Sequence, residues 1–215
     1  MRIVLMGAPG SGKGTQAKKI VSTFGIPHVS TGDLLRAAMA ARTELGREVE
    51  SAMNAGQLVP DDIALGLIRD RLQEPDAQEG YILDGFPRNV AQAEALDTML
   101  EELGAPLDQV IQIDVPFEEL KQRLTGRVSC GDCGAVFNTH TFPPKQEGVC
   151  DLCGGELMHR ADDTEQTVVN RLKVYEEQTR PLIEYYAGRE LLKHVNGTRD
   201  IVLIFDEIRQ LLGKH

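Results

Sequence analysis

The sequence lacks the long apolar segments that membrane and secreted proteins carry. No stretch approaches the roughly 18 consecutive apolar residues that a membrane span needs. The apolar run Ile3–Met6 is too short for a secretory signal, and Gly7-Ala8-Pro9 follows it directly. We therefore expect a protein of the cytoplasm that has no membrane partner.

An excess of positive charge is also missing. The chain has 23 Lys and Arg residues against 33 Asp and Glu residues, which gives a net charge of −10. A groove for nucleic acid needs clustered cations, so this balance disfavours nucleic-acid binding. Residues 126–163 also do not interleave aromatic with basic residues, as a nucleic-acid-binding segment would. If such an acidic protein binds a nucleotide, we expect arginines to converge on that site.

Short apolar tracts alternate with helical patterns along the 215 residues, a length that suffices for a sizeable core. We predict strands at 2–6, 27–29, 81–83, 109–115 and 191–195. The alternation predicts an α/β fold in which helices flank a parallel sheet and ligands bind at the carboxyl ends of its strands. A long helix is expected from Thr164 to about Tyr186, with a bend at Pro181. The segment from Asp200 to Leu212 fits a strand or a helix; we predict a helix, which leaves two of its apolar residues, Val202 and Leu203, partly exposed.

One motif stands between the first predicted strand and the first helix. Gly7-Ala8-Pro9-Gly10-Ser11-Gly12-Lys13-Gly14-Thr15 is G-x-x-x-x-G-K-T in the required context of strand, loop and helix. Its glycines allow the loop to curl until backbone N–H groups point inward, and the helix adds its positive end. Lys13 can then reach the β- and γ-phosphates, and the Thr15 hydroxyl can reach Mg²⁺ or a phosphate oxygen. The motif predicts a nucleoside-triphosphate site; a glycine-rich turn with an incidental lysine is the alternative.

The four cysteines lie in one segment, from about residue 126 to 163, that breaks the α/β pattern. Cys130 and Cys133 are separated by sixteen residues from Cys150 and Cys153, which matches a zinc-site spacing. Four thiolates fill a tetrahedron and leave no open position, so the role of the metal is structural. Two disulfides, uncoordinated thiols and an iron centre are the alternatives.

Several motifs together resemble those of adenylate kinase in its long-lid bacterial form with a four-cysteine zinc lid. They are the phosphate loop, Ser30-Thr31-Gly32-Asp33, Asp84-Gly85-Phe86-Pro87-Arg88 with Gln92, Gly126-Arg127, the two cysteine pairs and Arg160-Ala161-Asp162-Asp163. The resemblance covers essentially the whole chain.

The resemblance implies a P-loop kinase fold with two inserts. Residues 1–29, 60–125 and 164–215 are expected to form the core, residues 30–59 an AMP-binding domain and residues 126–163 a zinc-binding lid. It implies the reaction ATP + AMP ⇌ 2 ADP with Mg²⁺, and hence ATP, AMP and ADP as partners. We expect a monomer, because no large apolar patch is evident.

The resemblance also implies roles for individual residues. Phe137 stands where a tyrosine is expected, and Asp84 is expected to hold Mg²⁺ through water. The acidic pair Asp162 and Asp163 either braces lid arginines or caps a helix. The expected ATP-binding residues are Gly10, Ser11, Gly12, Lys13, Gly14, Thr15, Arg127, Val136, Phe137 and Arg199. The expected AMP-binding residues are Thr31, Arg36, Gln57, Leu58, Val59, Gly85, Phe86, Pro87, Arg88, Gln92, Arg160 and Arg171. The expected catalytic cations are Lys13, Arg88, Arg123, Arg127, Arg160 and Arg171.

Two rival functions remain at this point. One is a kinase of another nucleoside monophosphate, such as UMP or CMP, or one that uses GTP as donor. The other is a nucleotide switch or zinc-ribbon binding protein, against which the acidic balance argues.

Overall fold

The computed structural model describes residues 1–213, and a five-stranded parallel sheet lies at its centre. The strands are β1 (Arg2–Met6), β2 (His28–Ser30), β3 (Tyr81–Asp84), β4 (Gln109–Asp114) and β8 (Leu192–Asn196). Their order in the sheet is β2-β3-β1-β4-β8, and Ile3 of the central strand pairs with Ile82 on one side and Gln109 on the other. The predicted α/β fold is confirmed, with strand bounds that differ from the predicted ones by a residue or so.

Both faces of the sheet are covered, because alternate side chains of each strand point to opposite sides. The helices are α1 (Lys13–Phe24), α2 (Thr31–Ala40), α3 (Glu44–Asn54), α4 (Asp61–Leu72), α5 (Val90–Glu102), α6 (Phe117–Thr125), α7 (Glu165–Val174), α8 (Leu182–Ala187) and α9 (Ile201–Leu212). Ile3 and Leu5 pack with α1 and α9 on one face, whereas Val4 and Met6 pack with α4, α5 and α8 on the other. Each fully buried aliphatic side chain of this kind contributes about 1.5–3 kcal/mol to stability.

The ambiguous C-terminal segment is a helix, as predicted. The Asp200 side chain accepts from the Val202 N–H and so caps α9, a bond that a strand would not need. Ile204 and Ile208 take the inner face, which leaves Val202 55% and Leu203 54% exposed.

The long helix expected from Thr164 is interrupted earlier than predicted. It changes to one π-helical turn at Tyr175–Thr179 before Pro181, and α8 follows. The Arg180 N–H donates to the Tyr175 carbonyl over 2.9 Å, which is the wider spacing of a π turn. Thr179, the last residue of the π turn, donates its hydroxyl to the Arg88 carbonyl over 2.7 Å. The turn therefore coincides with a contact between distant parts of the chain.

The cysteine-bearing insert forms its own small antiparallel sheet. Its strands, in the order β6-β5-β7, are β5 (Arg127–Cys130), β6 (Val136–Asn138) and β7 (Leu157–His159). A few buried side chains, among them Val128, Phe137 and Leu157, make up its core. Helices α2 and α3 both lie in the segment of residues 30–59 that follows β2. Among residues 1–213, no helix has the length and apolar character that crossing a membrane requires.

Candidate active site

The site is built around the loop that joins β1 to α1. The backbone of Gly7 has φ +144°, and a Cβ there would lie 2.5 Å from Ser11 Oγ and 2.8 Å from the Ile113 carbonyl oxygen. Gly10 is similarly confined, because a Cβ would approach Leu124 Cγ to 2.9 Å. Only glycine allows the chain to curl this tightly. No side chain caps the start of α1, so its first N–H groups remain free for an anion.

Lys13 arches back over this loop. Its ammonium group donates to the Gly7 carbonyl over 2.8 Å and to the Ala8 carbonyl over 3.0 Å. Burial lowers the pKa of Lys13 to about 8; the charge of Asp84 counteracts that effect, and the nearby charges of Arg88, Arg171 and Arg127 lower the pKa further. A bound polyanion would favour the charged lysine and reverse this shift.

Asp84, at the end of β3, forms the floor beside the loop. Its Oδ2 lies 3.1 Å from His28 Nε2, and it lies 3.7 Å from the point where a Cβ on Gly14 would stand. Burial alone would raise the pKa of Asp84, but the His28 hydrogen bond and the Lys13 charge hold it below its ordinary value. The side chain is therefore an ionised carboxylate at neutral pH.

A cleft of about 640 Å³ opens above this loop, and cations from all three parts of the chain line it. In a protein of net charge −10, this convergence is the local reversal of sign that a polyanionic ligand requires. The cations are Lys13, Arg36, Arg88, Arg123, Arg127, Arg160, Arg171 and Arg199.

Two aspartates from the base of the insert hold these arginines together. The Asp163 carboxylate, with its side chain only 1% exposed, accepts from Arg127 over 2.7 and 2.6 Å and from Arg171 over 2.8 Å. Asp162 lies 3.0 Å from Arg171 and 3.7 Å from Arg36. The two aspartates therefore brace arginines, and Thr164 supplies the helix cap instead. The bracing interpretation of the sequence is the one that the structure shows.

Burial, and to a lesser extent the charges of neighbouring arginines, lowers the pKa of two guanidinium groups in the cleft. Burial lowers the pKa of Arg88 to about 10, and the charge of Arg171 adds to the effect. Burial likewise lowers the pKa of Arg160 to about 10, with a further contribution from Arg127. Both groups stay charged at neutral pH, so the cleft concentrates positive charge that an anion would neutralise.

The residues expected on the AMP side divide into two groups. Arg36, Leu58, Gly85, Pro87 and Arg88 line the cleft, and Arg160 and Arg171 reach it from the insert and from α7. Gln57, Val59, Thr31, Phe86 and Gln92 do not line it, and the last three are buried.

The buried members of that second group instead fix the cleft wall. Thr31 Oγ1 donates to the Gly85 carbonyl over 2.8 Å, and Arg88 Nε donates to the same oxygen over 2.7 Å. Gln92 accepts from the Arg88 N–H over 2.7 Å and donates to Asp61 Oδ1 over 2.7 Å.

The residues expected on the ATP side all line the cleft, from Gly10–Thr15 to Arg127, Val136, Phe137 and Arg199. Arg123, expected to be catalytic, also lines it and donates to the Gly197 carbonyl over 3.0 Å, which ties α6 to the loop after β8. Arg199 pairs with Glu207 on α9.

Sequence reasoning did not identify some residues that shape the site. Ser129 Oγ accepts from Arg160 Nε over 2.9 Å, and Asp61 holds Gln92 as described. Asp61 lies in the acidic first turn of α4, where a carboxylate is expected from the helix dipole alone. Ser129 lies in a strand, so neither residue has a signal of its own in the sequence. Phe142 also lines the cleft and has no distinguishing sequence pattern.

The four cysteines converge at the tip of the insert. Their sulfur atoms all lie within 4.8 Å of one another, with 3.5 Å between Cys130 and Cys153 and between Cys133 and Cys150. All four are free cysteines, so the disulfide alternative is not what the structure shows. A tetrahedron with metal–sulfur distances of about 2.3 Å has edges of about 3.8 Å, so this set of donors fits a zinc ion.

Comparison with known proteins agrees with this arrangement. The sequence model of a family described as Adenylate kinase matches residues 5–191. A protein of Thermodesulfovibrio yellowstonii named Adenylate kinase is 56% identical over 214 residues, which cover 100% of both chains. Proteins with the same name from a Geobacillus species and from Archaeoglobus fulgidus are 54% and 50% identical, over 99% and 100% of this chain and 99% of each relative.

Proposed function

Since the chain belongs to the adenylate kinase family and is a nucleoside monophosphate kinase, we propose that it catalyses ATP + AMP ⇌ 2 ADP with Mg²⁺. One observation carries the proposal: cations from the core, from residues 30–59 and from residues 126–163 line a single cleft around a phosphate-binding loop. A site for one nucleotide alone does not need cations from all three of these parts of the chain.

The chemistry asks for alignment and charge neutralisation. The acceptor phosphate is already ionised, so no general base is required. We assign the loop Gly10–Thr15, which includes Lys13, to the donor phosphates. Arg36 and Arg88 are assigned to the acceptor phosphate. Arg123, Arg127, Arg160 and Arg171 surround the group in transfer, where each guanidinium can hold two oxygens at once.

The donor and acceptor bases are assigned to opposite ends of the cleft. Val136, Phe137 and Arg199 contact the donor nucleoside. On the acceptor side, Thr31, Gly85–Pro87 and the buried Gln92 support the wall. The acceptor base is assigned to the backbone at Gln57–Val59, of which Leu58 lines the cleft.

Mg²⁺ is implied by the family, and the residues present suit it. Asp84 is an ionised carboxylate beside the loop, and Thr15 carries a hydroxyl at the start of α1. These two residues would hold the ion, Asp84 through water. When bound, the ion neutralises phosphate charge and orients the oxygens.

We propose that residues 126–163 act as a lid and residues 30–59 as the AMP-binding domain, moving against a core of residues 1–29, 60–125 and 164–215. The lid leaves α6 and returns to α7, and Lys121 of α6 pairs with Glu165 of α7 over 2.7 Å across that base. Arg127 and Arg160 lie at the two ends of the lid. Closure of the lid therefore brings these two cations toward the bound phosphates and, in the same movement, excludes water from the cleft. Excluded water cannot take the phosphoryl group.

Zinc in the lid is the structural part of the proposal. The lid core consists of Val128, Ala135, Phe137, Leu157 and two of the cysteines, which is too little apolar surface to hold a fold alone. Four thiolates around zinc supply the missing stability and leave no open position for substrate.

A coupled assay of ADP formation with a panel of acceptors tests the function. ATP should be consumed with AMP and far more slowly with UMP, CMP or water. Equal rates with UMP or CMP would reassign the acceptor, and consumption of ATP without any acceptor would refute the kinase assignment. The proposal also treats the protein as a monomer, which sedimentation velocity checks.

A further inference from the structure

The segment that follows α3 is held against one face of α7. Asn170 and Arg171 lie three and four residues after Thr167, so the three side chains share one side of that helix. The Thr167 hydroxyl donates to the Asn54 carbonyl over 3.2 Å, and the Asn170 amide donates to the Ala55 carbonyl. Two hydrogen bonds therefore join α7 to the end of α3.

The two carbonyl groups depend on these side chains. Asn54 is the last residue of α3 and Ala55 is its cap, and the final carbonyl groups of a helix have no partner within it. Among residues 1–213, each of these two carbonyls accepts one hydrogen bond, and its donor is on α7. A distant helix thus terminates α3 in place of a local cap.

Gly56 allows the chain to come this close to α7. It is buried and has φ +70°, and a Cβ there would lie 2.9 Å from Arg171 Cγ and 3.0 Å from the Thr167 carbonyl oxygen. The left-handed backbone and the lack of space both require glycine. Residues 54–56 are therefore fitted to α7 by two hydrogen bonds and one close backbone approach.

This contact connects two parts of the proposed site. Leu58, two residues after Gly56, lines the cleft where the acceptor base is assigned. The Arg171 guanidinium lines the same cleft and donates to the Asp163 carboxylate over 2.8 Å. An acceptor nucleotide has a fixed length, so the spacing between the groups that hold its base and its phosphate must match that length. The contact of residues 54–56 with α7 sets this spacing.

We propose that Thr167 and Asn170 are positioning residues for the phosphate acceptor. Both lie outside the cleft, and they act by seating residues 54–56 against the helix that carries Arg171. The inference rests on the proposed function for the identity of the acceptor. Because the donor phosphates are assigned to the loop Gly10–Thr15, ATP binding should not depend on these two side chains.

Asn170→Ala removes the donor to the Ala55 carbonyl. Alanine is a better helix former than asparagine, so α7 itself should not be weakened. We expect KM for AMP to rise about two- to ten-fold, the size of one net hydrogen bond, while kcat and KM for ATP change less than about two-fold. Saturating AMP restores the seated arrangement, which is why kcat is spared.

Thr167 offers a matched pair of variants. Thr167→Val keeps the shape of the side chain but removes the hydroxyl, whereas Thr167→Ser keeps the hydroxyl. The first should raise KM for AMP as Asn170→Ala does, and the second should stay close to the unmodified protein. Val169→Ala is the control on the same helix, because Val169 is 44% exposed and points away from the shared face.

Amide hydrogen exchange provides a readout that needs no substrate. In the free protein, the amides of residues 56–59 should exchange faster in Asn170→Ala and Thr167→Val than in the unmodified protein, whereas the central sheet should keep its protection. Equal acceleration in both regions would mean a general loss of stability and would contradict the positioning role.

The proposal fails if KM for AMP is unchanged in both Asn170→Ala and Thr167→Val, if KM for ATP rises by the same factor, or if Val169→Ala has the same effect. Failure of the proposed function would look different, since the unmodified protein would then show no AMP-dependent consumption of ATP. The exchange measurement would still report whether α7 holds residues 54–56.

Discussion

Lys13 should take up a proton when ATP binds near pH 8. In the free protein, burial lowers its pKa from 10.5 to about 8, so the ammonium group is only partly charged there. Phosphate oxygens at the loop favour the charged form and return the pKa toward or above its ordinary value. Since the bound state has the higher pKa, binding favours proton uptake, and ATP affinity must weaken as pH rises through about 8.

The size of the effect follows from the two pKa values. At pH 8 a group with a pKa of about 8 is half protonated, and in the complex it is almost fully protonated, so uptake is about 0.5 proton per ATP. At pH 6.5 the lysine is charged in both states, and this uptake falls close to zero.

Titration calorimetry of ATP binding, without AMP, in two buffers of different ionisation enthalpy measures this uptake. Lys13→Arg is the matched control, because a guanidinium stays charged at pH 8 and its uptake should vanish. If the binding enthalpy at pH 8 is the same in both buffers, or if Lys13→Arg shows the same uptake as the unmodified protein, the account of Lys13 is wrong.

Three further predictions follow from other contacts. Asp163→Asn removes the buried carboxylate shared by Arg127 and Arg171. The free energy of unfolding, measured by urea denaturation, should fall by about 3–5 kcal/mol, and turnover should fall as well. A loss below about 1 kcal/mol would contradict the bracing role. If residues 126–163 bind the proposed structural zinc, a chelator or Cys133→Ser should lower the thermal midpoint of this segment more than that of the rest of the chain. An unchanged midpoint would argue against structural zinc. Lys18 of α1 donates to the Gly134 carbonyl of the proposed lid over 2.6 Å. Lys18→Ala should therefore shift the equilibrium between closed and open lid toward the open state by about two- to ten-fold, as measured by energy transfer between labels on the lid and the core. The control Lys19→Ala should leave this equilibrium unchanged.

The sequence predicts those parts of the structure that local chemistry determines. The phosphate loop needs glycines in a strand–loop–helix context, and a cluster of four thiols needs paired cysteines at short spacing, so both could be predicted from the residues alone. The C-terminal helix follows from the inward spacing of Ile204, Ile208 and Leu212, which outweighs a continuous apolar run.

Features that depend on contacts between distant residues could not be predicted. The π turn at Tyr175 brings Thr179 to the Arg88 carbonyl, and no local pattern records that contact. Asp163 can cap a helix or bind an arginine, and only the fold brings both Arg127 and Arg171 to it. The exposure of Phe142 is likewise a property of the folded lid, because a lone Phe beside two prolines resembles any loop residue.

Phosphorus NMR of ATP, AMP and Mg²⁺ with the protein follows both substrates and every product in one sample, and so tests the central claim most directly. The account predicts that the ATP and AMP signals decline together and that two ADP molecules appear for each pair, with no inorganic phosphate. Release of inorganic phosphate at the rate of ATP loss, or an AMP signal that stays constant while ATP disappears, would contradict transfer between two nucleotides in one cleft.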